Sequence, residues 1–202
     1  MIIKTYIEPP IDNNNYLIID EQSKEAALID CSAVDDQVRK DLIEHGATLK
    51  YILLTHGHFD HIAGIRPNPN VKIVMNKEDL NWLNKANQYL PMFGIPEISI
   101  PKIDIFVNDG DIVKLGSLEI KVITTPGHTQ GGVCFLVDGK LFSGDTIFRE
   151  SVGRCDLEGG DFNQIIESIE NKIFTLPPNT LIYPGHGRMT SVEWEKEHNN
   201  FM

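Results

Sequence analysis

The segment His56-Gly57-His58-Phe59-Asp60-His61 constrains this chain more than any other feature. It follows Tyr51-Ile52-Leu53-Leu54, a continuous apolar run of the kind that forms a strand covered on both faces. On extended backbone, residues two apart point to the same side, so His56 and His58 can meet one cation. On a helix they would face nearly opposite directions. Asp60 and His61 arrive as the chain turns toward the next element and can serve a second position. Three histidines and one aspartate at four set places occur in about one window per million at average composition, so a polar loop that merely contains histidine explains the segment poorly.

Three other strand ends repeat the pattern. Thr125-Pro126-Gly127-His128 follows Val122-Ile123, Ser143-Gly144-Asp145 follows Leu141-Phe142, and Tyr183-Pro184-Gly185-His186 follows Leu181-Ile182. Glycine at these turns lets backbone approach a crowded centre without a Cβ clash. Singly, a His or Asp after a strand is usually a turn or capping residue. Joined to the first motif, they complete two sites: one metal on His56, His58 and His128, another on Asp60, His61 and His186, with the two oxygens of Asp145 bridging. Imidazole and carboxylate without thiolate suit zinc, iron or manganese, and the expected cofactor is a pair of divalent ions, zinc first. A closed structural zinc site takes four ligands, often Cys, whereas seven ligands for two ions leave room for water. The expected chemistry is metal-assisted hydrolysis. His45, at a helix end, and His198, in the last turns, are expected to bind no metal.

The rest of the chain reads as mixed α/β. Strands are expected at Ile2 to Ile7, Tyr16 to Ile19, Ala26 to Ile29 and Val71 to Met75, with a polar turn at Asp12 to Asn15. Hairpins are expected around Gly116-Ser117 and Asp138-Gly139, and a last strand at Thr180 to Tyr183. Ser32 with Asp35 is spaced as a capping box for a helix whose apolar positions are Val34, Val38 and Leu42, closed by Gly46. A second helix falls near 77–86. A third is capped by Asp161, with Phe162, Ile165, Ile166, Ile169 and Ile173 inward and Pro177-Pro178 as its stop, and Thr190 with Glu193 is spaced to cap the last. Gln88 to Pro101, with three prolines and exposed-looking apolar residues, reads as a long loop that could close over a site; Tyr89, Met92 and Phe93 there could flank a substrate or simply cover core.

Composition narrows the function. Eighteen Lys and Arg against 29 Asp and Glu leave a net charge of −11, unfavourable for a nucleic-acid binder, which needs clustered cations. No apolar stretch approaches the roughly 18 residues of a membrane span, and MIIKTYIEPP is no secretory leader. Cys31, Cys134 and Cys155 are odd in number and far apart, which predicts reduced thiols and a cytoplasmic location. At 202 residues, with no repeat or linker, 1–202 reads as one domain.

HGHFDH, PGHT, SGD and PGHG, in this order and with these gaps, resemble the metallo-β-lactamase superfamily over nearly the whole chain. The resemblance implies an αβ/βα sandwich of two mixed sheets flanked by helices, with metals at one sheet edge. Gly144 to Leu157 (GDTIFRESVGRCDL) further resembles the glyoxalase II branch in its short form. That likeness implies a hydroxyacylglutathione-type thioester hydrolase acting on a small-molecule thioester, with Asp60 orienting the attacking hydroxide. The C-terminal helical domain that binds glutathione in long forms is not expected here. Cys155 stands where threonine is usual, and an inert thiol is expected over an activated one. Arg149, Arg154 and Arg188, near the ligand loops, are candidates for binding an anionic substrate, although for Arg154 a structural pairing, such as with Asp156, is the favoured reading. Persulfide dioxygenases resemble the same branch; there a single iron would sit on His56, His128 and Asp145.

Overall fold

The computed structural model describes residues 1–32 and 35–202. Strands β1 (Ile2–Glu8), β2 (Asn13–Ile19), β3 (Glu25–Ile29), β4 (Thr48–Leu53), β5 (Lys72–Met75) and β6 (Ile105–Phe106) form one sheet in that order. It is antiparallel from β1 to β3 and parallel from β3 to β6. The remaining strands are β7 (Ile112–Leu115), β8 (Leu118–Thr124), β9 (Val133–Val137), β10 (Lys140–Gly144), β11 (Ile147–Phe148), β12 (Ser151–Val152), β13 (Leu181–Pro184) and β14 (Thr190–Ser191). The second sheet runs β14-β13-β10-β9-β8-β7, antiparallel except for the parallel β10–β13 pair, while β11 and β12 form a small separate hairpin. The helices are α1 (Asp35–His45), α2 (Leu80–Tyr89), α3 (Phe162–Ser168) and α4 (Val192–His198).

Side-chain alternation makes the layers. On β2, Tyr16 and Ile18 join Phe135, Phe142, Val122 and Leu115 of the second sheet in the central core. Their neighbours Leu17 and Ile19 pack on the other face with Val38 of α1 and with Leu83 and Ala86 of α2. The outer face of the second sheet buries Cys134, Leu141 and Ile182 against Ile165 of α3, Ile169 and Ile173 just beyond it, and Val192 of α4. Helix, sheet, sheet, helix is the four-layer αβ/βα sandwich expected above. Phe142 is fully buried, 5.3 Å from Tyr16 and 5.0 Å from Tyr183 by ring centres; its truncation to Ala should cost about 3–5 kcal/mol.

Several boundaries differ from the sequence reading. The first turn lies at 9–12 and β2 starts at Asn13, because Asn13, Asn14 and Asn15 are buried and hydrogen-bonded, not solvated. A 3-10 turn, Leu90–Phe93, carries α2 into the loop expected at 88–101 and closes on Gly94. Asp161 caps α3 as expected, accepting from the Gln164 amide at 3.1 Å, and the helix continues through a π-helical turn at Ile169–Ile173. Ser191, not Thr190, caps α4: its hydroxyl accepts from the Trp194 amide, while Thr190 donates to the buried Glu195 at 2.5 Å. Val34 and the Ser32–Asp35 cap involve positions outside the described residues. The Ser32 hydroxyl lies 2.6 Å from Asn13 Oδ1 and 2.8 Å from the Asp60 carbonyl. No described helix is long and apolar enough to cross a membrane.

Candidate metal centre

The chain leaves β4, β8, β10 and β13 at one edge of the sandwich, and each exit delivers a metal-binding type of side chain. The turns are tight. Gly144 adopts φ +49°, and a Cβ on Gly185 would lie 2.2 Å from Asp145 Oδ1 and 2.9 Å from His61 Cε1, so only glycine fits there. The start of β2 fastens the loops across the two sheets. The Asn14 amide donates to the Gly185 carbonyl at 2.6 Å, and its side chain donates to the carbonyls of Pro184 and Gly187 at 2.9 Å. Asn13 Nδ2 donates to the Asp60 carbonyl at 2.7 Å.

Seven side chains converge. One donor atom from each of His56, His58 and His128 lies within 4.8 Å of the others, and the same holds for Asp60, His61 and His186, and for His56, His61 and Asp145. Asp145 stands between the first two groups: Oδ1 is 3.5 Å from His61 Nε2, and Oδ2 is 3.6 Å from both His128 Nε2 and His186 Nε2. Asp60 Oδ2 is 3.6 Å from His61 Nε2 and 3.4 Å from His186 Nε2.

The rings are aimed from behind. His61 Nδ1 lies 2.8 Å from Asp30 Oδ2, His128 Nδ1 lies 2.7 Å from the Arg154 carbonyl, and His56 Nδ1 lies 3.0 Å from the Thr55 hydroxyl, which donates to Asp30. Each partner spends the Nδ1 hydrogen and turns Nε2 inward. Buried and without a hydrogen-bond partner there are His56 Nε2, His58 Nε2, His61 Nε2 and Asp145 Oδ1. Buried polar nitrogens and oxygens without partners are costly, and a cation is what satisfies them. The residues present therefore fit divalent metal. Asp79 braces the floor, accepting from the amides of Gly57 (2.8 Å) and Gly131 (2.6 Å) and from the Thr129 hydroxyl (2.8 Å). The sequence reading missed Asp30, Asp79 and the three asparagines. Asp30 alone left a signal, since it ends the apolar run 26–29 as the other site residues end theirs.

Electrostatics divide the cluster. Burial, then the neighbouring imidazoles, pushes His56 well below the usual histidine range and His58 down to about 3. Burial also opposes charge on His61, but Asp30, Asp60 and Asp145 outweigh it and raise it to about 10. His186 is raised too, against burial, by Asp60 and Asp145. Asp60 stays low despite its burial because His61 and His186 favour its carboxylate.

A cavity of about 590 Å³ opens over this floor, with His58, Asp60, His128, Asp145 and His186 at its base. Of the three arginines singled out, only Arg154 lines it, and its guanidinium pairs with both oxygens of Asp156 at 2.8 Å. Arg149 instead stacks over Trp194 at 4.4 Å and pairs with Glu150, and Arg188 is exposed outside the cavity. Burial, Asp161 and Asp156 push the half-buried Cys155 thiol up, which fits an inert residue. His45 and His198 lie outside the groups that could hold a metal among the described residues.

The model of the metallo-β-lactamase superfamily matches residues 9–186. The chain is 33% identical to the "Probable metallo-hydrolase YqgX" of Bacillus subtilis, over 96% of this chain and 93% of that one. It is 32% identical to "Hydroxyacylglutathione hydrolase GloC" of Haemophilus influenzae, over 93% and 92%. Among solved structures, the BLEG-1 B3 metallo-β-lactamase superposes with a TM-score of 0.89 at 32% identity, over 99% of both chains. TTHA1623 in a di-iron-bound form does so with 0.86 at 30%, over 98% of this chain and 100% of that one. A family match over most of the length, full-length relatives and a metal-binding His/Asp cluster at the sheet edge agree: this chain belongs to the metallo-β-lactamase superfamily.

Proposed function

We propose that the chain is a dinuclear metal hydrolase of thioesters, of the glyoxalase II type. The observation that carries the reading is the pair of three-residue groups sharing Asp145 at the base of one cavity. His56, His58 and His128 would hold one ion and Asp60, His61 and His186 the other, with Asp145 reaching both. Two divalent ions there supply Lewis acidity and water that ionises near pH 7 instead of 15.7. Zinc is the first choice, and the di-iron form of a structural relative keeps iron in play.

The chain's own residues set the rest. Asp60, kept ionised, accepts a hydrogen bond from the attacking water and aims it at the carbonyl carbon. Asp30 keeps His61 in register through its Nδ1 hydrogen. Beyond the floor, the polar groups on the wall are the Tyr89 and Ser151 hydroxyls, the Trp82 indole N–H and the Arg154 guanidinium, so no strong acid waits to protonate a leaving group. A thiolate, whose conjugate acid has a pKa of about 8.5, departs without one, whereas an amide nitrogen does not. That favours thioesters over amides and lactams, and the likeness to GloC supports it. A single iron on His56, His128 and Asp145 is the alternative, and the ligand residues alone do not separate the two readings.

The test is turnover of S-lactoylglutathione by protein loaded with zinc or iron, followed by loss of thioester absorbance. Saturable hydrolysis abolished by a chelator is expected. Failure with every acyl thioester, or oxygen uptake with glutathione persulfide at one iron per chain, would sink the reading.

A further inference from the structure

The cavity is two-sided in character. Its base is the His/Asp cluster, and its wall is aromatic. Phe59 stacks 6.1 Å from Tyr89 and 4.9 Å from Phe93, and Tyr89 lies 5.7 Å from Trp82. The Trp82 indole N–H donates to the Glu158 carbonyl at 3.2 Å, so the polar edge of that ring is already used. Met92 and Phe93 remain 76% and 48% exposed at the rim, and Phe148 closes the side toward His186. The one cation on this wall among the described residues, Arg154, is engaged bidentately by Asp156, which leaves little positive charge for a carboxylate. A short hydroxyacyl group would leave most of this apolar surface wet.

We infer that the cavity selects an apolar acyl chain of several carbons, lying along Phe59, Tyr89 and Phe93, over a short hydroxyacyl group. This rests on the thioester reading above. The volume lies within the range of pockets that enclose drug-sized ligands. Each methylene drawn from water into such a wall should tighten binding by up to about fourfold, the factor equivalent to ~0.8 kcal/mol per CH₂.

Two series of non-hydrolysable thioethers test this by calorimetry on metal-loaded protein: S-ethyl, S-butyl, S-hexyl and S-octyl derivatives of glutathione, and the same alkyl groups on N-acetylcysteamine. The expected result is about two- to fourfold tighter binding per methylene in at least one series. That slope should flatten in Phe93→Ala and Met92→Ser, two substitutions at exposed positions, with folding checked by circular dichroism. Affinity independent of length in both series, no binding in either, or an unchanged slope in both variants would overturn the inference. Turnover is scored separately. If no acyl thioester is cleaved while the slope persists, the hydrolase reading falls and the apolar chain site stands.

Discussion

The two three-residue groups at the base of the cavity are built from one motif and from similar strand ends, yet they are electrostatic opposites. His56 and His58 sit among other imidazoles in a dry pocket and are pushed toward neutrality. His61 and His186 face Asp60 and Asp145, with Asp30 behind His61, and are pushed toward charge. His56 and His58 therefore present free lone pairs at any ordinary pH. The second group, without metal, holds a proton where a cation belongs. Similar ligands thus make one pair of imidazoles held neutral and one site that must exchange a proton for its metal.

The largest effect should come from removing what the two groups share. Asp145→Ala is expected to lower turnover by at least about a thousandfold, measured as kcat/KM on whichever thioester is cleaved. Asp30→Asn should separate the groups, because Asp30 hydrogen-bonds His61 directly and reaches the other group only through the Thr55 hydroxyl. Affinity for the second equivalent of metal should fall about 10- to 100-fold, with the first much less affected, in competition titrations against a chelator. Equal weakening of both would break the comparison.

The same contrast has a pH signature. His61 rises from 6.5 unfolded to about 10 folded, so the metal-free protein keeps that proton below about pH 10 and metal must displace it. Affinity of the second equivalent should drop about tenfold or more for each unit that pH falls below 10, because His61 and His186 both hold protons more tightly there. Stability of the metal-free protein has the matching sign: the contribution of protonated His61 is fully present below pH 6.5 and is lost as pH rises toward 10. Denaturant melts of chelated protein at pH 6.5 and 9.5 check it.

A smaller effect is expected on the cavity wall. The hairpin β11–β12 supplies Phe148, Ser151 and Val152 to the cavity and is clamped by α4 and the residues after it. The Glu150 amide donates to Glu195 at 2.8 Å, Trp194 Nε1 donates to Glu150 at 3.0 Å, and Asn199 Nδ2 donates to the Ser151 carbonyl at 3.0 Å. Trp194→Phe removes one of these bonds and should raise KM about threefold with metal content unchanged. Lost metal would show that the wall and the base are not separable.

What could be read in advance follows the range of the interactions. The seven metal-binding candidates were legible because each closes an apolar run within a short motif; strand periodicity carried only a mixed α/β class, and the sandwich came from the resemblance of those motifs to the superfamily. Asp30, Asp79 and Asn13 to Asn15 were not, because they look like ordinary turn residues. Their partners lie far along the chain: His61 and Thr55 for Asp30, Gly131 and Thr129 for Asp79, Pro184 and Gly187 for Asn14. The two-residue strands β6, β11, β12 and β14 are too short to show any period. The α4 cap was missed by one residue because Thr190 and Ser191 are both capable, and burial of Glu195 recruits the first.

The central claim, two cations joined through one carboxylate, is tested most directly by elemental analysis of purified protein alongside Asp145→Ala. About two equivalents of transition metal per folded wild-type chain, and at most one in the variant, are predicted. Two equivalents retained in both proteins, or full turnover by wild-type protein stripped of metal, would contradict it.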